Sequence, residues 1–163
     1  MRPTLDHVLV ATDFSAPASA AIDYAATLAR KAGARLHVVH VLEEPFVPAG
    51  PYEWHLPDTP ARREGRYQRA LARVSKDAAA VGDRVTATVE VRAGEVTRSI
   101  AQAAIDYGAD VIVLGTRGRA GLRHLFGGGT VARLQRLSGR PIMTVRDADD
   151  LREWPAHAHR GAA

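Results

Sequence analysis

Apolar residues in this chain cluster into short β-branched runs, and stretches of helical spacing separate them. The first run, His7-Val8-Leu9-Val10-Ala11-Thr12, has the continuous hydrophobicity of a strand buried on both faces. It stops at Asp13-Phe14-Ser15, where Asp13 or Ser15 is suited to cap a helix and Pro17 to occupy its first turn. Ala21, Tyr24, Ala25 and Leu28 then recur at helical spacing until Gly33. Leu36 to Val41 reads as a second strand. Residues 43–60 hold five prolines with Phe46, Tyr52 and Trp54, the texture of a long loop.

A polar helix is expected from about Ala61 to Ala80. From Arg84 to Val91 apolar and polar residues alternate, which predicts a half-exposed edge strand. A further helix is expected over Gly94–Tyr107 with Val96, Ile100, Ala103 and Ala104 turned inward, and Gly108 stops it. Asp110 to Leu114 is the most hydrophobic run of all. A glycine-rich stretch, a short helix from about Val131 to Leu137 and a last strand Pro141–Val145 complete the order. Strands that alternate with helices imply right-handed crossovers, hence a parallel sheet with helices on both faces. The domain spans residues 1–146; the charged, His- and Ala-rich segment 147–163 is expected to be a partly disordered tail.

Composition narrows the chemistry. The chain has 163 residues, a formal charge of +4 and a pI of about 9.9. Lys31 and Lys76 are its only lysines, so the positive charge is nearly all arginine, scattered among acids with no basic stripe. No nucleic-acid partner is therefore expected. The absence of cysteine excludes disulfides, thiolate catalysis and zinc ribbons. No apolar run approaches the roughly 20 residues of a membrane helix, and the N-terminal residues carry no secretory segment, so a cytoplasmic location and no membrane partner are expected.

In a parallel sheet of this kind, ligands bind beyond the carboxyl ends of the strands, at the point where strand order reverses. The ends of the first strand (Thr12, Asp13) and of the fourth (Gly115 onward) are the candidates. Gly115-Thr116-Arg117-Gly118-Arg119-Ala120-Gly121-Leu122-Arg123-His124-Leu125-Phe126-Gly127-Gly128-Gly129-Thr130 lets backbone amides approach a ligand closely, and it leads into a helix whose first amides favour an anion. It is neither a P-loop nor a dinucleotide fingerprint. His37 and His40 read as hydrogen-bonded core or rim residues, since no third ligand converges on them. No catalytic constellation or metal motif appears, so the chain is not expected to be an enzyme beyond slow incidental hydrolysis.

Val8-Leu9-Val10-Ala11-Thr12-Asp13-Phe14-Ser15, His40-Val41, Val91-Arg92-Ala93-Gly94 and Gly108-Ala109-Asp110-Val111-Ile112-Val113-Leu114-Gly115 together resemble the universal stress protein family over roughly residues 5–146. The resemblance implies a three-layer α/β fold of the adenine nucleotide alpha hydrolase type, an open five-stranded parallel sheet in the order 3-2-1-4-5. It also implies a stress-response sensor that binds ATP or a related adenine nucleotide, with Mg²⁺ as an optional companion. Thr12 and Asp13 would then border the ribose or adenine, and Val41 would pack on the adenine. Gly115, Arg117 and Gly118 would line the ribose and first phosphates, and Gly128, Gly129 and Thr130 the distal ones. The family dimerises through its last strand, which here implicates Ile142, Met143, Thr144 and Val145.

One position departs from the pattern. The nucleotide-binding branch follows its third glycine with Ser or Thr, whereas Gly129 stands there and Thr130 comes one residue later. That offset turns a hydroxyl by about 100° on an incipient helix. A dimeric scaffold that binds no nucleotide and works through a protein partner is the alternative it raises. An adenylate-forming enzyme is disfavoured, because the first strand lacks the Ser-Gly-Gly or His-x-Gly-His elements such enzymes use.

Overall fold

The computed structural model describes residues 4–43, 59–82, 85–115 and 130–146. Five parallel strands form one sheet, β1 (His7–Thr12), β2 (Arg35–Leu42), β3 (Ala87–Ala93), β4 (Val111–Gly115) and β5 (Ile142–Val145), in the order β3-β2-β1-β4-β5. Four helices connect them: α1 (Ala16–Ala32), α2 (Pro60–Ala80), α3 (Val96–Tyr107) and α4 (Thr130–Ser138). The expected three-layer sheet and its strand order are those observed.

Alternation along the central strands divides the core in two. Val8, Val10, Leu36, Val38 and Val113 face α1 and α2, where Ala21, Ala25, Ala70 and Val74 meet them. Leu9, Ala11, Val39, Ile112 and Leu114 face α3 and α4 and pack on Ile100, Ala104 and Leu134. A fully buried Val or Leu gains about 1.5–3 kcal/mol over its exposed state, so the two layers supply most of the cohesion. Small residues on α1 (Ala21, Ala25 and Ala29 are fully buried) let that helix lie close against β1 and β4.

Helix ends follow local chemistry. Ser15 caps α1 through a hydrogen bond from the Ala18 amide (3.3 Å), Pro lies in the first turn, and Gly33 closes the helix in the left-handed region (φ 71°). Two expected boundaries move. The third strand starts at Ala87 and runs on to Ala93, because it pairs with β2 along its whole length, from Leu36↔Ala87 to Leu42↔Ala93. Helix α3 starts at Val96, because Glu95 takes the cap position and accepts from the amides of Thr97 (2.9 Å) and Arg98 (3.1 Å).

At the amino ends of the strands, Asp110 Oδ2 accepts from the amides of Asp6 and His7 and ties β1 to β4. His37 is buried there, bonded to Thr88 Oγ1 (2.7 Å) and Glu90 Oε2 (3.0 Å) and stacked on Tyr107 at 4.4 Å between ring centres. His37 is thus the bonded residue its strand position predicts. Among the described residues, no helix is long and apolar enough to cross a membrane, and no cluster of three or more His, Cys, Asp or Glu is placed to hold a metal.

Candidate functional site

Strand order reverses between β1 and β4, and the carboxyl ends of those strands bring Thr12, Asp13 and Gly115 to one rim. Helix α4 joins two parallel strands and must run back along the sheet, which puts Thr130 at the same rim. The Arg133 guanidinium in its first turns donates to Glu95 Oε2 (3.3 Å) at the start of α3. The amino ends of α3 and α4 therefore meet beside the site. Arg117, Gly118, Gly128 and Gly129 lie outside the described residues, and of Thr130 only its place in the helix is described.

The turn after β1 is tightly specified. Thr12 is buried and its Oγ1 accepts from the Phe14 amide (3.1 Å). Asp13 Oδ1 accepts from both the amide (3.0 Å) and the hydroxyl of Ser15. Its other oxygen, Oδ2, is buried and has no hydrogen-bond partner among the described residues. A buried acceptor left unpaired costs about 1–3 kcal/mol, and more when it is charged. The cap therefore belongs to Ser15, and Asp13 braces it through Oδ1.

Phe14 takes a left-handed conformation (φ 64°), an uncommon backbone state for a bulky side chain. Two groups hold it. His40 Nδ1 donates to the Thr12 carbonyl (2.8 Å), which sets the N–H on Nδ1, and the imidazole lies 4.2 Å from the Phe14 ring, centre to centre. The Arg73 guanidinium sits 4.4 Å above the other partner of this stack, the Phe14 ring, and donates to the Phe14 carbonyl (3.2 Å). Neither contact is visible in sequence, because Arg73 lies 59 residues from Phe14 on a polar helix.

Burial pushes the His40 pKa below its ordinary 6.5; the Thr12 carbonyl and the Asp13 carboxylate oppose the shift, and Arg73 adds to it. The folded chain therefore holds this proton less tightly than the unfolded chain. Stability due to neutral His40 is complete above pH ~6.5 and is lost as pH falls through the lower folded pKa. Unfolding free energy is expected to drop more steeply for the parent than for His40→Asn between about pH 7 and pH 5, measured by urea titration. Parallel curves would contradict this. Asp106, held down by hydrogen bonds from Gln102 and Arg92, acts only at lower pH. So does Glu95, where burial pushes the pKa up but the Thr97 and Arg98 amides and Arg133 outweigh it.

Gly115 ends β4 against the first turn of α1. A Cβ there would fall 2.3 Å from the Pro17 carbonyl oxygen and 2.8 Å from the Ala18 nitrogen. The absent side chain is thus what lets α1 begin directly over the end of β4. Val41, partly buried, packs with the cluster beneath α3 and α4, on the side of the sheet toward which Thr130 also lies. Further along the rim, a cavity of about 360 Å³ opens between the ends of β2 and β3 and the start of α2, lined by Leu42, Ala93, Pro60 and Tyr67.

Sheet order and the reversal point between the ends of β1 and β4 define an open, three-layer α/β protein with its candidate site at that rim. A family model, the Universal stress protein family, matches residues 4–146, and the chain belongs to that family. It is similar in structure to a protein of the family from Burkholderia pseudomallei (28% identity, 89% of this chain and 98% of the other, TM-score 0.59). It also superposes on a universal stress protein in complex with cAMP (19%, 88% and 98%, 0.61). A third similar structure is the universal stress protein from Archaeoglobus fulgidus in complex with dAMP (22%, 87% and 98%, 0.51). No curated protein matches the chain in sequence.

Proposed function

We propose that this chain binds ATP or a related adenine nucleotide at the β1/β4 rim and works as a cytoplasmic stress-response sensor, acting by binding and not by turnover. The observation that carries the reading is Asp13 Oδ2, a buried acceptor with no protein partner described, at the strand-order reversal. A ribose hydroxyl or the adenine amino group supplies the donor it lacks. Gly115, Gly118 and Gly128 keep the glycine spacing of the nucleotide-binding branch, and adenine nucleotides are what the two liganded relatives hold. Amides of Gly128, Gly129 and Thr130 would meet the distal phosphates, with Arg117 adding charge and Mg²⁺ accompanying ATP. Occupancy at a hundredfold excess over Kd would stabilise the bound form by about 2.7 kcal/mol, enough to present an ordered surface to a protein partner.

Assembly as a homodimer through β5 completes the reading. Ile112 N–H donates to the Pro141 carbonyl (3.0 Å), so Pro141, Met143 and Val145 bond inward to β4 while Ile142 and Thr144 turn their backbone groups outward. That leaves an edge able to pair with its own copy about a two-fold axis. The scaffold alternative draws on Gly129 alone.

Asp13→Asn is the sharpest single test. Ser15 fixes Oδ1 as the acceptor, so the new amide nitrogen replaces Oδ2 and sets a donor against the ligand's donor. Affinity for Mg-ATP is expected to fall about 10- to 100-fold, with stability of the free chain equal or higher, because a buried unpaired charge is gone. Unchanged affinity in that variant would remove Asp13 from the site.

A further inference from the structure

We propose that His40 and Arg73 are positioning residues of the nucleotide site, which fasten the β1–α1 turn from two neighbouring elements so that Asp13 Oδ2 stays unpaired until a ligand supplies its donor. The inference rests on the reading above and deepens it.

A left-handed Phe14 is a state the turn would leave if it were not held, since a non-glycine residue there pays about 1–2 kcal/mol. The strand end alone does not hold it. His40 fixes the carbonyl of Thr12, on the amino side of Asp13, and Arg73 fixes the carbonyl of Phe14, on its carboxyl side. Asp13 is thus clamped between two peptide groups, one anchored to β2 and one to α2. The Phe14 ring, in contact with the imidazole and the guanidinium, joins the two anchors into one unit. Relaxation of either anchor frees the Asp13 peptide to rotate, and its second oxygen could then find a backbone or solvent donor. The charged groups facing the imidazole are Asp13 from the turn and Arg73 from α2. Neither residue needs to touch the ligand; their effect is to keep the acceptor unsatisfied until it arrives.

The test uses Mg-ATP and the full-length chain. His40→Leu removes the donor to Thr12, whereas His40→Asn keeps a side-chain N–H close to the place of Nδ1. Calorimetry is expected to show roughly tenfold weaker binding for His40→Leu and recovery to within about threefold of the parent for His40→Asn. Equal affinity in His40→Leu and parent, or equally weak binding in both variants, overturns the positioning role while leaving the nucleotide reading in place. A parent chain that binds no adenine nucleotide overturns the functional reading itself. Should His40→Leu fail to fold, ¹⁵N imidazole spectra of the parent decide: a protonated Nδ1 in the neutral ring is the expected result, and the Nε2–H tautomer refutes the anchor.

Discussion

Gly115→Ala is expected to destabilise the fold by about 3 kcal/mol, a large share of the roughly 5–15 kcal/mol that holds a domain together. The single added carbon would meet the Pro17 carbonyl oxygen at 2.3 Å and its carbon at 2.4 Å, both backbone atoms that cannot swing away as a flexible side chain would. Relief requires α1 to slide off β4 or the strand end to bend. Either movement disturbs Ala18, Ala21 and Ala25, which are buried in the layer between α1 and the sheet. Equilibrium urea unfolding measures the loss directly. A midpoint within a few tenths of a molar of the parent would show that α1 is not seated on Gly115. The same loss would move the Asp13 turn, since Ser15 and Pro17 begin the helix, so weakened nucleotide binding is expected alongside it.

Gly128→Val is expected to leave folding alone and to weaken nucleotide binding by roughly 100-fold or more. On the proposed reading the amides of residues 128–130 meet the distal phosphates, and a branched Cβ at Gly128 would stand between those amides and the anion. Each hydrogen bond to a charged group contributes about 1.5–3 kcal/mol, so the loss of two corresponds to roughly 10²- to 10⁴-fold in affinity. Its sedimentation mass should match that of the parent. Retained affinity would mean that residues 128–130 do not hold the phosphates. The companion change Gly129→Ser restores the hydroxyl of the branch pattern and should tighten binding if that hydroxyl is what the departure lost.

Much of the architecture is legible in the pattern because its causes are local. Val8-Leu9-Val10 and Val111-Ile112-Val113-Leu114 are buried on both faces and read as continuous apolar runs, while Gly33 and Gly108 end helices where the sequence says they should. The extent of β3 is not local. Its alternation begins near Arg84, yet partnership with β2 carries the strand to Ala93, and pairing register is a property of two segments. The site divides the same way. Strand ends and topology suffice to bring Thr12, Asp13 and Gly115 to one rim. Ser15 takes Asp13 Oδ1 while Oδ2 has no partner among the described residues, and the left-handed Phe14 is contacted by Arg73, far along the chain. Gly115 reads in sequence as a place for a ligand, whereas the structure supplies a packing reason for the same glycine.

The most direct measurement is a calorimetric titration of the parent chain with Mg-ATP, AMP and cAMP, together with an assay for nucleotide released when the purified protein is denatured. Micromolar binding of at least one, or adenine nucleotide carried through purification, is the result expected of an Asp13 oxygen with no partner among the described residues at the strand-order reversal and of the Gly115, Gly118 and Gly128 spacing. No heat at millimolar ligand and no released nucleotide would contradict it and favour the scaffold alternative, which works through a protein partner.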